Sequence, residues 1–185
     1  FSPEQKLLLD GILGETRLLS RMFDWMLLLA KNEEGAHEPD IQQIFVPDFL
    51  TSPKRTEDLP RVMALEVICP PDLMISADRT LFAAIIDALL LAASVGSEAP
   101  SVRIAVTVDE DMCTIDLIAP MALSLLTDEG NDEKQGNRVV GGVPGFLLAI
   151  ASSLAKSSGG TLLPEELGGV IYRLTLQLPL RADGI

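Results

Sequence analysis

The chain has 185 residues, of which 48% are hydrophobic and 22% charged, which suits one globular domain with an appendage and excludes a disordered chain. Aromatic residues make up only 4%, so aliphatic side chains must fill the core. The formal net charge of −13 repels phosphate backbones and anionic lipid surfaces, so we expect no nucleic-acid binding and no membrane contact by this fragment.

The N-terminal segment carries the signals of one long helix. Ser2 suits the N-cap and Pro3 the first helical position, and the pattern predicts a helix from residue 3 to about residue 32. Residues spaced alternately by four and three form a seam, apolar except at Glu15, that is typical of a helical bundle or coiled coil. The apolar seam residues are Leu8, Ile12, Leu19, Met22, Met26 and Leu29. We interpret them as a dimer interface, with an internal core as the equally weighted alternative.

A polar segment, NEEGAHEP at 32–39, follows the helix and is predicted to be a hinge. We therefore expect a dimerisation-type helix with its hinge at 1–35 and a second domain at 36–185. The first half of that domain is predicted to contain a mixed strand-then-helix segment at 41–50, a strand at 64–69 and a helix at 80–94. Hairpin strands at 101–108 and 112–118 and a mobile Gly-rich loop at 126–142 follow. A helix at 145–158, ended by Gly159 and Gly160, and closing strands at 161–163 and 170–178 complete the domain. This order predicts an α/β fold, a two-layer sandwich with helices on one face of a mixed sheet, preceded by a long bundle helix.

Three stretches, in this order and spacing, resemble sensor histidine kinases over nearly the whole chain. Residues 7–35 resemble the second helix of the kinase dimerisation and phosphoacceptor domain. Residues 70–94 (PPDLMISADRTLFAAIIDALLLAAS) resemble the strand that enters the ATPase domain and the helix after it. Residues 141–180 resemble the glycine-rich turn, the next helix and the last two strands. The resemblance implies the Bergerat (GHKL) ATPase fold and a role in two-component signalling.

The first ATPase-domain helix of these kinases carries a motif of the form NLLxNA, in which an Asn ligates Mg²⁺. The aligned residues run from Ala88 to Ala93, with Ala92 at the metal position. A methyl group offers none of the hard oxygen ligands that magnesium needs. Asp87 is a candidate surrogate ligand, and the plainer interpretation is a solvated or capping carboxylate.

The family's DxGxG element aligns with the end of a predicted strand. Leu117 replaces the Asp that recognises the adenine amino group, and Ala119 and Met121 replace glycines that let the backbone come close. Leu cannot accept a hydrogen bond, and the Met side chain fills space that a glycine leaves open. A shifted alignment would instead bring Asp116 into the pocket.

The glycine-rich turn keeps one of the three glycines of the family pattern. That pattern falls at Val143, Gly145 and Leu147, while Gly141 and Gly142 keep the loop flexible without standing at the expected positions. Pro144 removes a backbone N–H that could have held a phosphate.

Other chemistry-bearing residues give no catalytic pattern. His37 is the only histidine, and we expect it in an exposed loop and not on an acceptor helix, which would precede residue 1. The acidic pairs at 109/111 and 165/166 are predicted to lie in solvated turns. Cys69 and Cys113 lack metal-type spacing and are predicted to be buried free thiols, as suits a reducing cytoplasm. We therefore predict no catalytic and no metal-ligating residue, and a cytoplasmic location, with membrane anchoring of the full-length protein left open.

The leading hypothesis is a degenerate histidine-kinase ATPase domain that acts as a regulatory or docking module with little or no ATP binding. It implies a homodimer formed through the N-terminal helix and a response-regulator or kinase partner. Two alternatives stay open. One is a working kinase domain that binds ATP and Mg²⁺ in a divergent pocket, and the other is a phosphotransfer or anti-sigma-type protein on the same fold.

Overall fold

The computed structural model describes residues 2–53, 55, 64–97, 101–109, 111–122, 142–167 and 170–180. The chain separates into two compact units, Phe1–Glu38 and Pro39–Ile185. The elements are α1 (Pro3–Glu33), β1 (Ile41–Phe45), α2 (Val46–Thr51), β2 (Ala64–Ile68), β3 (Met74–Asp78), α3 (Arg79–Gly96), β4 (Ser101–Asp109), β5 (Met112–Ala122), α4 (Gly142–Ser157), β6 (Thr161–Leu167) and β7 (Val170–Pro179).

Helix α1 is the long helix that the sequence predicts, and its start is a capping box. The Ser2 hydroxyl accepts from the Gln5 N–H at 3.2 Å, and the Gln5 side chain accepts from the Ser2 N–H at 2.9 Å. Pro3 occupies the first turn, where no helical N–H is needed. The helix ends near Gly35, whose φ of +68° suits glycine, and the Ala36 N–H donates to the Lys31 carbonyl oxygen at 2.8 Å.

The second unit is built on a five-stranded mixed sheet in the order β2-β4-β5-β7-β6. Strand β2 runs parallel to β4, and the other neighbours are antiparallel. Along β4 and β5 buried residues such as Val106 and Ile115 alternate with more exposed ones such as Arg103 and Thr114. Helices α3 and α4 pack against each other and on the sheet. The predicted two-layer α/β sandwich is therefore confirmed.

A separate two-stranded sheet pairs β1 with β3, and the element order predicted from residue patterns had omitted β3. Ile44 and Ile75 are register partners on its buried side. Strand β3 has the sequence MISAD, in which polar and apolar residues follow no clean alternation, so the period-2 signal is weak. Its hydrogen-bonding partner lies some thirty residues upstream, where local pattern cannot find it. The family resemblance had placed a strand in this stretch.

Two strands extend beyond their predicted ends. Strand β5 continues to Ala122 through a register shift between Ile118 and Met121, and the bulge accommodates Pro120, which has no N–H for a regular ladder. Strand β6 reaches Leu167, so the prediction that the 165/166 acidic pair lies in a turn was wrong. Glu165 instead accepts a hydrogen bond from the Tyr172 hydroxyl at 2.9 Å.

Helix α3 is long and apolar enough, by length and composition, to cross a membrane. Two-thirds of it is buried inside the second unit, as expected of a core helix. Its N-cap is Asp78, which accepts from the Thr80 and Leu81 N–H groups at 3.0 Å each.

Candidate nucleotide-binding cleft

The asparagine-motif positions lie in the interior of the second unit. Ala88 and Ala92 are fully buried on α3, within a run of buried residues from Ala88 to Ser94. Two helical turns of methyl and isobutyl groups therefore stand where the resembling kinases present amide oxygens. The side chains from Ala88 to Ala93 have no atom that could ligate a metal ion, and the first side-chain oxygen of the run is the buried Ser94 hydroxyl, which has no hydrogen-bond partner among the described residues.

The aligned DxGxG positions lie in strand β5 and not in a turn. Leu117, Ala119 and Met121 are all buried, and burial alternates with greater exposure from Ile115 to Met121 through the register shift with β7, so the three lie on one face of the strand. That face is the one covered by the helices, because Ile115 on the same side is also buried. The three apolar side chains therefore add to the core between sheet and helices.

The end of α3, the end of β5 and the first turn of α4 come close together beside Gly96, the last residue of α3. A Cβ atom placed on Gly96 would lie 3.4 Å from Pro144 Cβ and 3.7 Å from Met121 Cβ. One added methyl group would therefore already be in van der Waals contact with both residues, so the space beside Gly96 is small. Met121 and Pro144, which both depart from the family pattern, supply the nearest side-chain atoms to this space.

The glycine-rich positions are divided between surface and core. Gly142 opens α4 with a φ of +73° and is exposed, whereas Gly145 and Leu147 are buried. Gly141 and most of the predicted loop lie outside the described residues. Pro144 is half-buried within the first turn of α4, where its missing N–H would otherwise be one of the free amides of a helix start.

The two acids that the sequence offered as surrogates for the missing motif residues, Asp87 and Asp116, both bind other side chains of the second unit. Asp87 is half-buried and forms an ion pair with Arg55, so the expectation of a merely solvated or capping carboxylate was wrong. Asp116 is on the face of β5 opposite Leu117 and accepts from the Thr175 hydroxyl at 2.7 Å. A shifted alignment therefore does not bring Asp116 into the cleft. Arg55 and Thr175, the partners of these two acids, are distant in sequence, so no local motif predicts either pair.

The single histidine and the two cysteines do not stand at the positions aligned with the family motifs. His37 lies in the loop between α1 and β1, where it is half-buried and not exposed as expected. Its backbone N–H donates to the Lys31 carbonyl oxygen at 3.0 Å.

Both cysteines are free thiols, but only Cys113 is buried. Burial, and to a smaller extent the nearby Cys69, raises the pKa of Cys113 to about 11. Burial also raises the pKa of the half-buried Cys69. Among the described residues, no group of three His, Cys, Asp or Glu could hold a metal ion.

The seam residues of α1 are mostly on its surface. Leu8, Ile12, Leu19 and Met26 are exposed, and Met22 and Leu29 are half-buried. A shallow apolar groove runs along the N-terminal half of this seam, lined by Leu8, Gly11, Ile12, Glu15, Thr16 and Leu19. A second exposed apolar stripe lies beside the seam and contains Leu9, Leu13, Phe23 and Leu27.

No family model and no curated protein sequence matches the chain. Among solved structures, the histidine kinase AdeS of Acinetobacter baumannii is similar with a TM-score of 0.68 over 98% of this chain and 88% of that chain, at 16% identity. Full-length ShkA in complex with AMPPNP gives a TM-score of 0.67 over 100% of this chain and 41% of that chain, at 17% identity. The isolated catalytic domain of the histidine kinase ThkA covers 76% of this chain with a TM-score of 0.55, at 12% identity. The chain has the fold of a histidine-kinase ATPase domain with a preceding helix.

The histidine-kinase fold implies an ATP and Mg²⁺ site, and the residues described at its positions do not fit one. A magnesium ion requires oxygen ligands, and adenine recognition by an Asp requires a carboxylate acceptor. The aligned positions provide only carbon and sulfur side-chain atoms at Ala92, Leu117, Ala119 and Met121. No chemical step through a nucleotide can be assigned to these groups.

Proposed function

We propose that this chain is a regulatory or docking module of two-component signalling that retains the histidine-kinase ATPase fold but does not use ATP. The observation that carries this proposal is the filled cleft. Leu117, Ala119 and Met121 are buried on the helix-covered face of β5, and side-chain atoms of Met121 and Pro144 leave room for little more than a methyl group beside Gly96. Close packing of this kind excludes a purine ring unless the core reopens.

The charge of the second unit supports the same proposal. Residues 39–185 contain 20 Asp and Glu against 10 Lys and Arg, a net charge of −10. A nucleotide triphosphate is itself a polyanion, so long-range electrostatics oppose its approach unless local cations compensate. None of the eight positions aligned with the family motifs is a cation in this sequence: Ala88, Ala92, Leu117, Ala119, Met121, Val143, Gly145 and Leu147.

The proposed module acts as a homodimer through α1 and meets a response regulator or a kinase in the cytoplasm. The exposed apolar seam of α1 supports the dimer, because a contiguous apolar stripe on a helix is normally covered by a partner. The structural neighbours are histidine kinases, which supports a partner from two-component signalling.

The decisive experiment is calorimetric titration of the chain with ADP and with AMPPNP in the presence of Mg²⁺. We expect no binding stronger than about 1 mM. ShkA, whose solved structure contains AMPPNP, is the positive control for ligand quality and buffer. Binding of either nucleotide in the micromolar range would contradict the proposal and favour a working kinase domain with a divergent pocket.

A phosphotransfer function requires a separate measurement. Incubation of the full-length protein with a phosphorylated response regulator tests whether any histidine in it accepts the phosphoryl group. Transfer without nucleotide binding would favour the phosphotransfer alternative over a scaffold. Absence of both activities would leave the docking role, to be tested by co-purification with response regulators.

A further inference from the structure

Outside the cleft, Arg55 makes three contacts with two helices of the second unit. Its guanidinium forms an ion pair with the Asp87 carboxylate of α3, and its Nε donates to the Phe49 carbonyl oxygen of α2 at 2.8 Å. The guanidinium carbon also lies 3.7 Å from the centre of the Phe49 ring. Only 11% of the Arg55 side chain and 23% of the Asp87 side chain are exposed. This combination of stacking and directed donors is specific to arginine.

Phe49 connects the same two helices by apolar packing. The centre of its ring lies 4.8 Å from that of Phe82 on α3, with the two planes tilted by 34°. Helix α2 has only six residues, which is too short for a helix to persist without tertiary contacts. It is therefore attached to α3 by an apolar contact through Phe49 and by a charged contact through Arg55.

We propose that Arg55 is a conformational latch, in which its ion pair with Asp87 holds α2 closed on α3 and loss of the pair lets α2 open while the sandwich stays folded. Asp87 directly precedes Ala88, so the ion pair attaches Arg55 to α3 next to the asparagine-motif positions. A separate contact holds the start of β1, which leads into α2, to the start of α3. The backbone N–H of Arg79, the first residue of α3, donates to the carbonyl oxygen of Asp40, the residue before β1, at 2.9 Å. The inference goes beyond the proposed function, because it holds whether or not the cleft binds a nucleotide.

The physical basis of the latch is that removing one charge of a buried ion pair costs more free energy than removing both, because the remaining charge stays buried. Removing the Asp87 charge takes the anion of this ion pair away from a guanidinium whose side chain is only 11% exposed, which disfavours the closed position of the segment. The Phe49 contact and the β1–β3 ladder do not depend on this charge. These contacts, and the fully buried Val46 and Leu50 of α2, oppose opening, so the open position is a rare local fluctuation whose population rises when the ion pair is lost.

Amide hydrogen exchange on the whole chain tests the latch by comparing the wild type with Asp87→Asn, which keeps the side-chain shape and removes the charge. The peptide that covers 46–51 is expected to exchange at least about tenfold faster, while peptides from β5, β7 and α4 change by less than about twofold. Arg55→Lys keeps the charge but loses the planar fork, and it is expected to give an intermediate rate.

Arg103→Gln is the matched control, because it breaks an ion pair of 2.9 Å with Glu66 that is about half exposed on the sheet. It is expected to leave the exchange of 46–51 unchanged. Unchanged exchange of 46–51 in Asp87→Asn would overturn the latch. So would an equal increase across the sheet, since the pair would then contribute only to global stability. If Asp87→Asn does not fold, Arg55→Lys provides the same comparison.

Discussion

Leu117 is the residue at which the filled cleft can be tested most directly. It stands where the resembling kinases carry an adenine-binding Asp, yet it is only 2% exposed. An Asp is tolerated there in an open, hydrated pocket but not in a packed interior. Leu117→Asp is therefore expected to lower the free energy of unfolding by about 3–5 kcal/mol, the usual penalty of an uncompensated buried charge. Urea denaturation followed by circular dichroism measures this difference.

The control for Leu117→Asp is Thr114→Asp, a substitution on the less buried face of the same strand. It introduces the same charge into β5 and is expected to cost less than about 1 kcal/mol. A similarly small loss at Leu117 would mean that water reaches this position, and the cleft would then be open.

Single residues also show where sequence analysis reaches its limit. The departures from the family pattern at Ala92 and Leu117 are visible in the sequence because each position belongs to a short motif of fixed spacing. The partners of Asp87 and Asp116 could not, because Arg55 and Thr175 lie 32 and 59 residues away along the chain. Such pairs depend on how helices and strands are brought together, and a motif contains no information about that.

At the scale of elements, helices were predicted better than short strands. The seam and capping residues of α1 span many turns, so several independent signals agree on one long helix. Strand β3 has five residues, of which Ile75 is the only large apolar side chain buried in the core, and its pattern is too short to detect. The extension of β5 past Pro120 depends on a bulge opposite β7, which is a property of the pair and not of either strand.

The dimer interface is a prediction at the element scale, because α1 exposes two adjacent apolar stripes. If the seam is the interface, Ile12→Ala with Leu19→Ala removes two exposed side chains from its centre. Full burial of such a side chain contributes roughly 1.5–3 kcal/mol, so dimer dissociation constants are expected to rise at least about tenfold per residue. Sedimentation equilibrium of the chain measures the change.

The matched control uses Leu13→Ala with Leu27→Ala, which truncates equally exposed apolar side chains on the neighbouring stripe. These substitutions are expected to leave the dimer intact. A weaker dimer in this variant, with the seam variant unaffected, would place the interface on the neighbouring stripe. A monomeric wild-type chain would refute a dimer formed by this segment alone.

For the whole molecule, the formal net charge of −13 is the property that the composition fixes most firmly. Like charges distributed over a compact surface repel one another and destabilise the folded state relative to an expanded chain. Raising NaCl from about 0.01 M to about 0.1 M shortens the Debye length from about 30 Å to about 10 Å, which screens this repulsion. We therefore expect the thermal midpoint to rise with salt, and a gain of about 1 kcal/mol corresponds to roughly 2–4 °C for a chain of this size.

Two substitutions separate net charge from other effects of salt. Asp72→Asn and Asp111→Asn each remove one negative charge from an exposed turn without touching the core. Their combination is expected to raise the midpoint at low salt and to reduce the further gain on adding NaCl, because less repulsion remains to be screened. A midpoint that falls with salt would mean that attractive exposed ion pairs, such as Arg103–Glu66, outweigh the repulsion among the carboxylates. If the proposed cleft excludes nucleotides by packing and not by charge alone, titration with ADP at high salt is also expected to show no binding.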